Sequence, residues 1–226
     1  MQLSAKQSIR RYSFTDWKSF IDKILQCPDL ISCRSAEESP NNSTKMPSAQ
    51  PKETAASPKV SDEETQAELM KIFTEAAAFE QKAEYHSELQ VLLKGLKIAP
   101  EDEGLLIKLG RVYRRLDYPQ MALAFYEKAK ELYPDSIPLH LNISVLYLTS
   151  GRNEEARPYL ERALGLYKKN PQSATQEIVA KVYGHYALCL GRLGEMDAAK
   201  QNMLKAKEAG YPNIKTLCEW LNIPEP

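Results

Sequence analysis

The sequence of 226 residues predicts an all-α fold made of antiparallel helix pairs stacked side by side. Three observations carry that reading. Apolar residues from Leu69 onward return at helical spacing. Prolines stand where helices should stop, as at Pro100 and Pro134. A pattern of large and small residues also repeats at a period of about 34 residues. It runs through Leu106, Leu109, Gly110 and Tyr113, then Ala122, Tyr126 and Pro134. It returns as His140, Ile143, Ser144 and Tyr147 with Ala156, Leu160 and Ala163, and again as Tyr183, Tyr186, Ala187 and Leu190 with Ala199, Met203 and Ala206. The expected architecture is about four such pairs closed by a C-terminal capping helix and preceded by a mostly disordered N-terminal segment.

Taken in order, residues 1–34 form an N-terminal segment with one amphipathic helix at about 14–26. Ser13 is its expected cap, Phe14, Trp17, Ile21, Ile24 and Leu25 its apolar face, and Pro28 its stop. So short a helix is marginal alone in water and needs a surface to dock on. The chain's own repeats are the preferred surface, ahead of a partner protein or a membrane. Residues 35–60 are rich in Ser, Pro, Asn, Thr, Lys and Glu and are too poor in apolar surface to offset ordering entropy, which predicts a disordered linker. Residues 61–226 hold the repeats, at about 69–102, 103–136, 137–179 and 180–212, with a cap beyond them. Ser61-Asp62-Glu63-Glu64 is a capping-box start.

The first unit departs most from the pattern, with Glu75, Glu88 and Gly95 where Leu, Ala and Ala are expected, as suits a terminal repeat with one solvent face. In the second unit Gly110 and Ala122 are small where the two helices approach, Asp117-Tyr118-Pro119 turns the chain, and Pro119 suits a first helical turn. The third unit turns at Ser150-Gly151-Arg152-Asn153 and carries about nine extra residues before the fourth. Ser173-x-x-Gln176 reads there as a capping box, so that the insertion lengthens both flanking helices around a short turn. The fourth turns at Gly191-Arg192-Leu193-Gly194 and closes at Tyr211-Pro212. Asn213 is the expected cap of a final helix whose Ile214, Leu217, Trp220 and Leu221 cover the end of the stack.

Composition excludes several functions. Thirty basic and thirty acidic residues cancel, so no global field draws the chain to nucleic acid or to an anionic membrane. No apolar run is long enough to span a bilayer and no secretion signal opens the chain, which predicts a cytoplasmic protein. Cys27, Cys33, Cys189 and Cys218 and the histidines His86, His140 and His185 lack metal-ligand spacing, so neither metal nor cofactor is expected. With no nucleophile–base constellation and no phosphate loop, the chain does not read as an enzyme.

From Glu103 to Asp135 the residues follow the two halves of the tetratricopeptide-repeat signature, with Leu106 in place of its Trp. The chain therefore resembles the tetratricopeptide-repeat family over about residues 65–212. The resemblance implies a right-handed superhelix whose first helices line a concave groove, and an adaptor that binds a peptide or helix of another protein there, acidic or C-terminal. Groove-side positions hold Lys108, Arg111, Arg114, Arg115, Asn142, Lys181, His185 and Arg192. The site set is Lys108, Arg111, Arg115, Asn142, Lys181 and His185. Members that clamp a terminal carboxylate use Lys and Asn, then Asn, then Lys and Arg in successive repeats. Asn142 and Lys181 match that pattern, Ile107 and Arg111 depart from it, and His185 replaces the last Arg. Leu141, Val145 and Leu188 are the groove's expected apolar side chains. Two alternatives remain: an autoregulated or self-assembling scaffold whose N-terminal helix docks in the groove, and a secretion-type chaperone.

Overall fold

A computed structural model describes residues 17–26 and 62–223. The expected caps at Ser13 and Ser61 and the expected linker at 35–60 lie outside them. The described residues form ten α-helices and no strand: α1 (Trp17–Gln26), α2 (Asp62–Gln81), α3 (Tyr85–Ile98), α4 (Glu103–Arg115), α5 (Pro119–Leu132), α6 (Ile137–Thr149), α7 (Asn153–Lys169), α8 (Gln176–Arg192), α9 (Met196–Glu208) and α10 (Ile214–Leu221). A 3-10 turn at Pro171–Ser173 separates α7 from α8.

Each pair closes as the spacing predicts. The Tyr126 ring fills the place that a side chain on Gly110 would need, so α4 and α5 approach too closely for any residue but glycine. Asp117 takes a left-handed conformation, with φ 64°, to turn α4 into α5, and Gly151 and Gly194 do the same in the next two pairs. In the first pair Ala83 holds φ 58°, a conformation that costs a non-glycine residue energy. Pro119 opens α5, where its missing N–H leaves no bond unmade. Asp102 and Ser136 cap α4 and α6 through hydrogen bonds accepted from Leu105 N and Leu139 N.

The insertion lengthens α7 and α8 to 17 residues each, against 13 in α4 and α6. Its capping differs from the expected box. The Ser173 hydroxyl donates backward to Asn170 O at 2.6 Å, and Thr175 caps α8 by accepting from Ile178 N. Ser173 ends the 3-10 turn, so the helix starts two residues later than the box requires. Asn213 stands at the start of α10 but its side chain makes no capping hydrogen bond there.

First helices touch first helices, α4 with α6 and α6 with α8, whereas each second helix packs on the first helix before it and the one after it. The first helices are therefore the inner, concave layer and α3, α5, α7 and α9 the outer one. One apolar cluster runs from α1 through the first three pairs into α8, and a second joins α8, α9 and α10. At the end of the stack Leu221 of α10 occupies the space beside Gly191, as a covering helix must.

The N-terminal helix docks on the chain's own repeats, but on the outer layer. Trp17 meets Phe125 of α5 edge-on at 5.7 Å and donates its indole N–H to Pro100 O in the turn between the first two pairs. Phe20 lies 5.8 Å from the same ring, and Lys128 of α5 sits over the Trp17 ring. Ile21 and Ile24 are buried. The alternative in which this helix occupies the groove is corrected on this point: its aromatic anchors find their apolar seat around Phe125 of the outer helix α5.

Candidate functional site: the concave layer

Along α4, α6 and α8, most of the charges expected to meet a ligand are already engaged. Arg111 Nη2 pairs with Glu80 Oε2 of α2 at 2.5 Å and lies 3.6 Å from Glu88 Oε1 of α3. Arg115 donates to the Tyr85 hydroxyl at 2.8 Å, stacks over that ring and reaches Glu80 at 3.7 Å. These two arginines join the second pair to the first. Lys108 lies over the Phe73 ring, and burial lowers its pKa, with Arg111 adding in the same direction. Lys181 bonds Glu177 one turn earlier on α8 at 2.6 Å. Asn142 donates its amide N–H to Pro138 O, and Arg192 donates to Leu148 O at the end of α6.

Glu88 is the cost of this network. It is fully buried in the place where the pattern expects alanine, both its oxygens lack a hydrogen bond, and burial raises its pKa despite Arg111. His185 is half-buried on α8. Burial drives its pKa down to about 4, and the charges of Arg114 and Lys181 push the same way, so the ring is neutral at pH 7. The expected apolar lining also changes: Leu141 and Leu188 are buried between helices, and only Val145 is part-exposed.

Arg114 behaves differently. It projects from the last turn of α4, half-buried, and no carboxylate among the described residues pairs with it. Burial lowers its pKa, partly offset by Tyr126, whose hydroxyl lies beside the guanidinium. Arg114 Nε and the Tyr126 hydroxyl oxygen are both buried without a hydrogen bond of good geometry. Counting basic residues along the inner helices picks out Arg114 no more than its neighbours. The distinguishing signal is the absence of an acid one repeat away: Glu80 serves Arg111 and Arg115, and no described acid serves Arg114.

Among the described residues no group of His, Cys, Asp and Glu could hold a metal, and no helix is long and apolar enough to cross a membrane. A cavity of about 580 Å³ beside the insertion is lined by Tyr167, Pro171, Val179, Tyr183 and Lys205.

Family models described as tetratricopeptide repeat match residues 103–169 and 180–209. No curated protein matches the chain. Solved structures similar to it include MamA AMB-1 in its P212121 form, with 23% identity over 59% of this chain and 74% of that one and a TM-score of 0.45. MamA MSR-1 gives 22% identity, 59% and 72% coverage and a TM-score of 0.44. TTC0263, a thermophilic TPR protein in Thermus thermophilus, gives 17% identity, 70% and 97% coverage and a TM-score of 0.42. The helix pairs and the matched repeats define an α-helical repeat scaffold. The chain is a tetratricopeptide-repeat protein, and its repeats make it a protein–protein interaction scaffold.

Proposed function

We propose that the chain is an adaptor that holds a peptide or helix of another protein along the concave face of α4, α6 and α8. The observation that carries this reading is that both flanking elements leave the inner layer uncovered. α1 is seated around Phe125 on the outer layer, and α10 lies on α8 and α9 at the end of the stack. What the inner layer offers is mixed: Val145 and Asn142 part-exposed, the neutral His185 ring and the half-buried Arg114 guanidinium. Such a surface suits a segment with both apolar and polar side chains.

Affinity capture with the full chain from native lysate, compared between two variants, tests the reading. Val145→Arg places a charge in the groove and should abolish capture of the partner. Leu204→Arg replaces an exposed residue of the outer helix α9 and should leave capture unchanged. Loss with Leu204→Arg and retention with Val145→Arg would move the binding face to the outer layer.

A further inference from the structure

The sequence predicts that Trp220 helps to cover the end of the stack, yet its ring is 64% exposed, while Leu217, Cys218 and Leu221 of α10 are buried in the cluster with α8 and α9. The repeat register explains the difference. Trp220 stands one period of about 34 residues after Tyr186, at the place held by Leu109 and Ile143 in the second and third units. Leu109 and Ile143 are fully buried, in units whose second helix closes over the first. Among the described residues no second helix closes over α10, and Leu221 excludes the usual one. Leu221 stands at the place of Gly110, Ser144 and Ala187, where a small residue lets the two helices of a pair approach, as the Tyr126 ring against Gly110 shows. Lys215, Thr216 and Glu219 share the outward face of α10 with Trp220.

We infer that this face of α10 is a self-association surface, on which α10 of a second copy packs two-fold and antiparallel. The surface is separate from the concave layer, so the inference goes beyond the adaptor reading. Tryptophan is among the side chains that most often anchor protein interfaces, and here it is held out at a position that the fold otherwise buries. Charge selects the occupant. Lys215 and Glu219 are about one helical turn apart, so an antiparallel copy sets Lys215 of each chain against Glu219 of the other, whereas a parallel copy sets like charges together. A face that carries both signs in this order complements itself. The Trp220 ring of each copy then lies across the crossing, near Thr216 of the other. A two-fold contact uses the same patch on both copies, so association closes at a dimer. The face is a single helix of eight residues, so the contact is small and the dimer forms only as concentration rises.

Sedimentation equilibrium of the full chain, from micromolar to millimolar concentration, tests this. Wild type should pass from monomer to dimer and no further. Trp220→Gln should raise the dissociation constant on the order of tenfold or more, with circular dichroism and melting temperature unchanged because the ring is exposed. Met70→Gln, which removes an exposed side chain from α2 at the other end of the stack, should leave association as it is. Lys215→Glu and Glu219→Lys should each associate more weakly than wild type, since each sets like charges across the crossing. An equimolar mixture of those two variants should dimerise again, a rescue that a merely loosened helix would not show. A wild type that stays monomeric throughout, a dimer untouched by Trp220→Gln, or a mass that climbs past the dimer overturns the inference. If wild type is monomeric and Trp220→Gln loses a protein that wild type captures from lysate, the face belongs to a foreign partner and self-association is wrong. The adaptor reading is judged separately, by capture with Val145→Arg.

Discussion

At the scale of single residues, the chain's oddest choice is a glutamate where two helices should meet on alanine. Glu88 has no hydrogen bond to either oxygen, and its pKa is raised by burial more than Arg111 lowers it. A group whose folded pKa lies above its unfolded value gives stability that is complete below pH 4.5 and is lost as pH rises through the folded pKa. Glu88→Gln should therefore raise the melting temperature at pH 7, by an amount on the order of 1 kcal/mol in stability, and the gain should vanish in acid. Arg111 is not orphaned, because Glu80 keeps it. His185 works in the opposite direction in both proteins: its pKa of about 4 means stability is lost as pH falls from 6.5 towards 4. Thermal melts of the two proteins from pH 4 to 8 check this, and a constant gap between the curves would show that Glu88 does not titrate with folding. The same residues show what a sequence can disclose. Gly110 was legible because its role is set by its own pair, through Tyr126. The engagement of Arg111 and Arg115 was not, because their acids lie about one period upstream on neighbouring helices, and helical spacing within one element cannot reveal a contact across the stack.

At the scale of elements, the helices and turns follow from local chemistry, and so they agree with the spacing almost throughout: Pro119 at a start, Gly151 and Gly194 at turns, and α7 and α8 lengthened by the insertion. Local rules chose wrongly at Ser173, where a 3-10 turn takes the hydroxyl that a capping box would use. They were silent on where α1 goes, since an amphipathic face states that it needs a surface and not which one. The chain contains two tryptophans, and Trp220 is 64% exposed, so Trp220→Phe leaves Trp17 as the sole reporter of the docked helix. In that background Ile24→Asp puts a charge into the buried face of α1. It should red-shift the emission to that of a solvated indole and lower stability by about 1.5–3 kcal/mol, the worth of one buried aliphatic side chain. Helix content of the repeats, read by circular dichroism, should hardly change. An unshifted spectrum would mean that the face through Ile24 does not hold α1 on Phe125.

At the scale of the whole molecule, the apolar interior is divided, and the division sets how the chain opens. The larger cluster ties α1 and the first three pairs together and reaches α8 through Val182 and Cys189. The smaller one holds Leu188, Leu190, Ala199 and Met203 against Leu217, Cys218 and Leu221 of α10. In a stack each pair is stabilised only by its neighbours, so the end with a small cluster and a single eight-residue covering helix is the least protected. Hydrogen exchange followed by mass spectrometry should find the slowest amides in α4 to α6 and faster ones in α9 and α10. Removing residues 213–226 strips Leu217 and Leu221 from α8 and α9 and leaves Gly191 and Leu190 facing water. That variant should lose protection in α9 and the second half of α8, while α4 to α6 exchange as before. Its thermal melt should begin earlier and broaden. Uniform protection along the stack, unchanged by truncation, would mean that the two clusters behave as one core and that α10 does not cap the end.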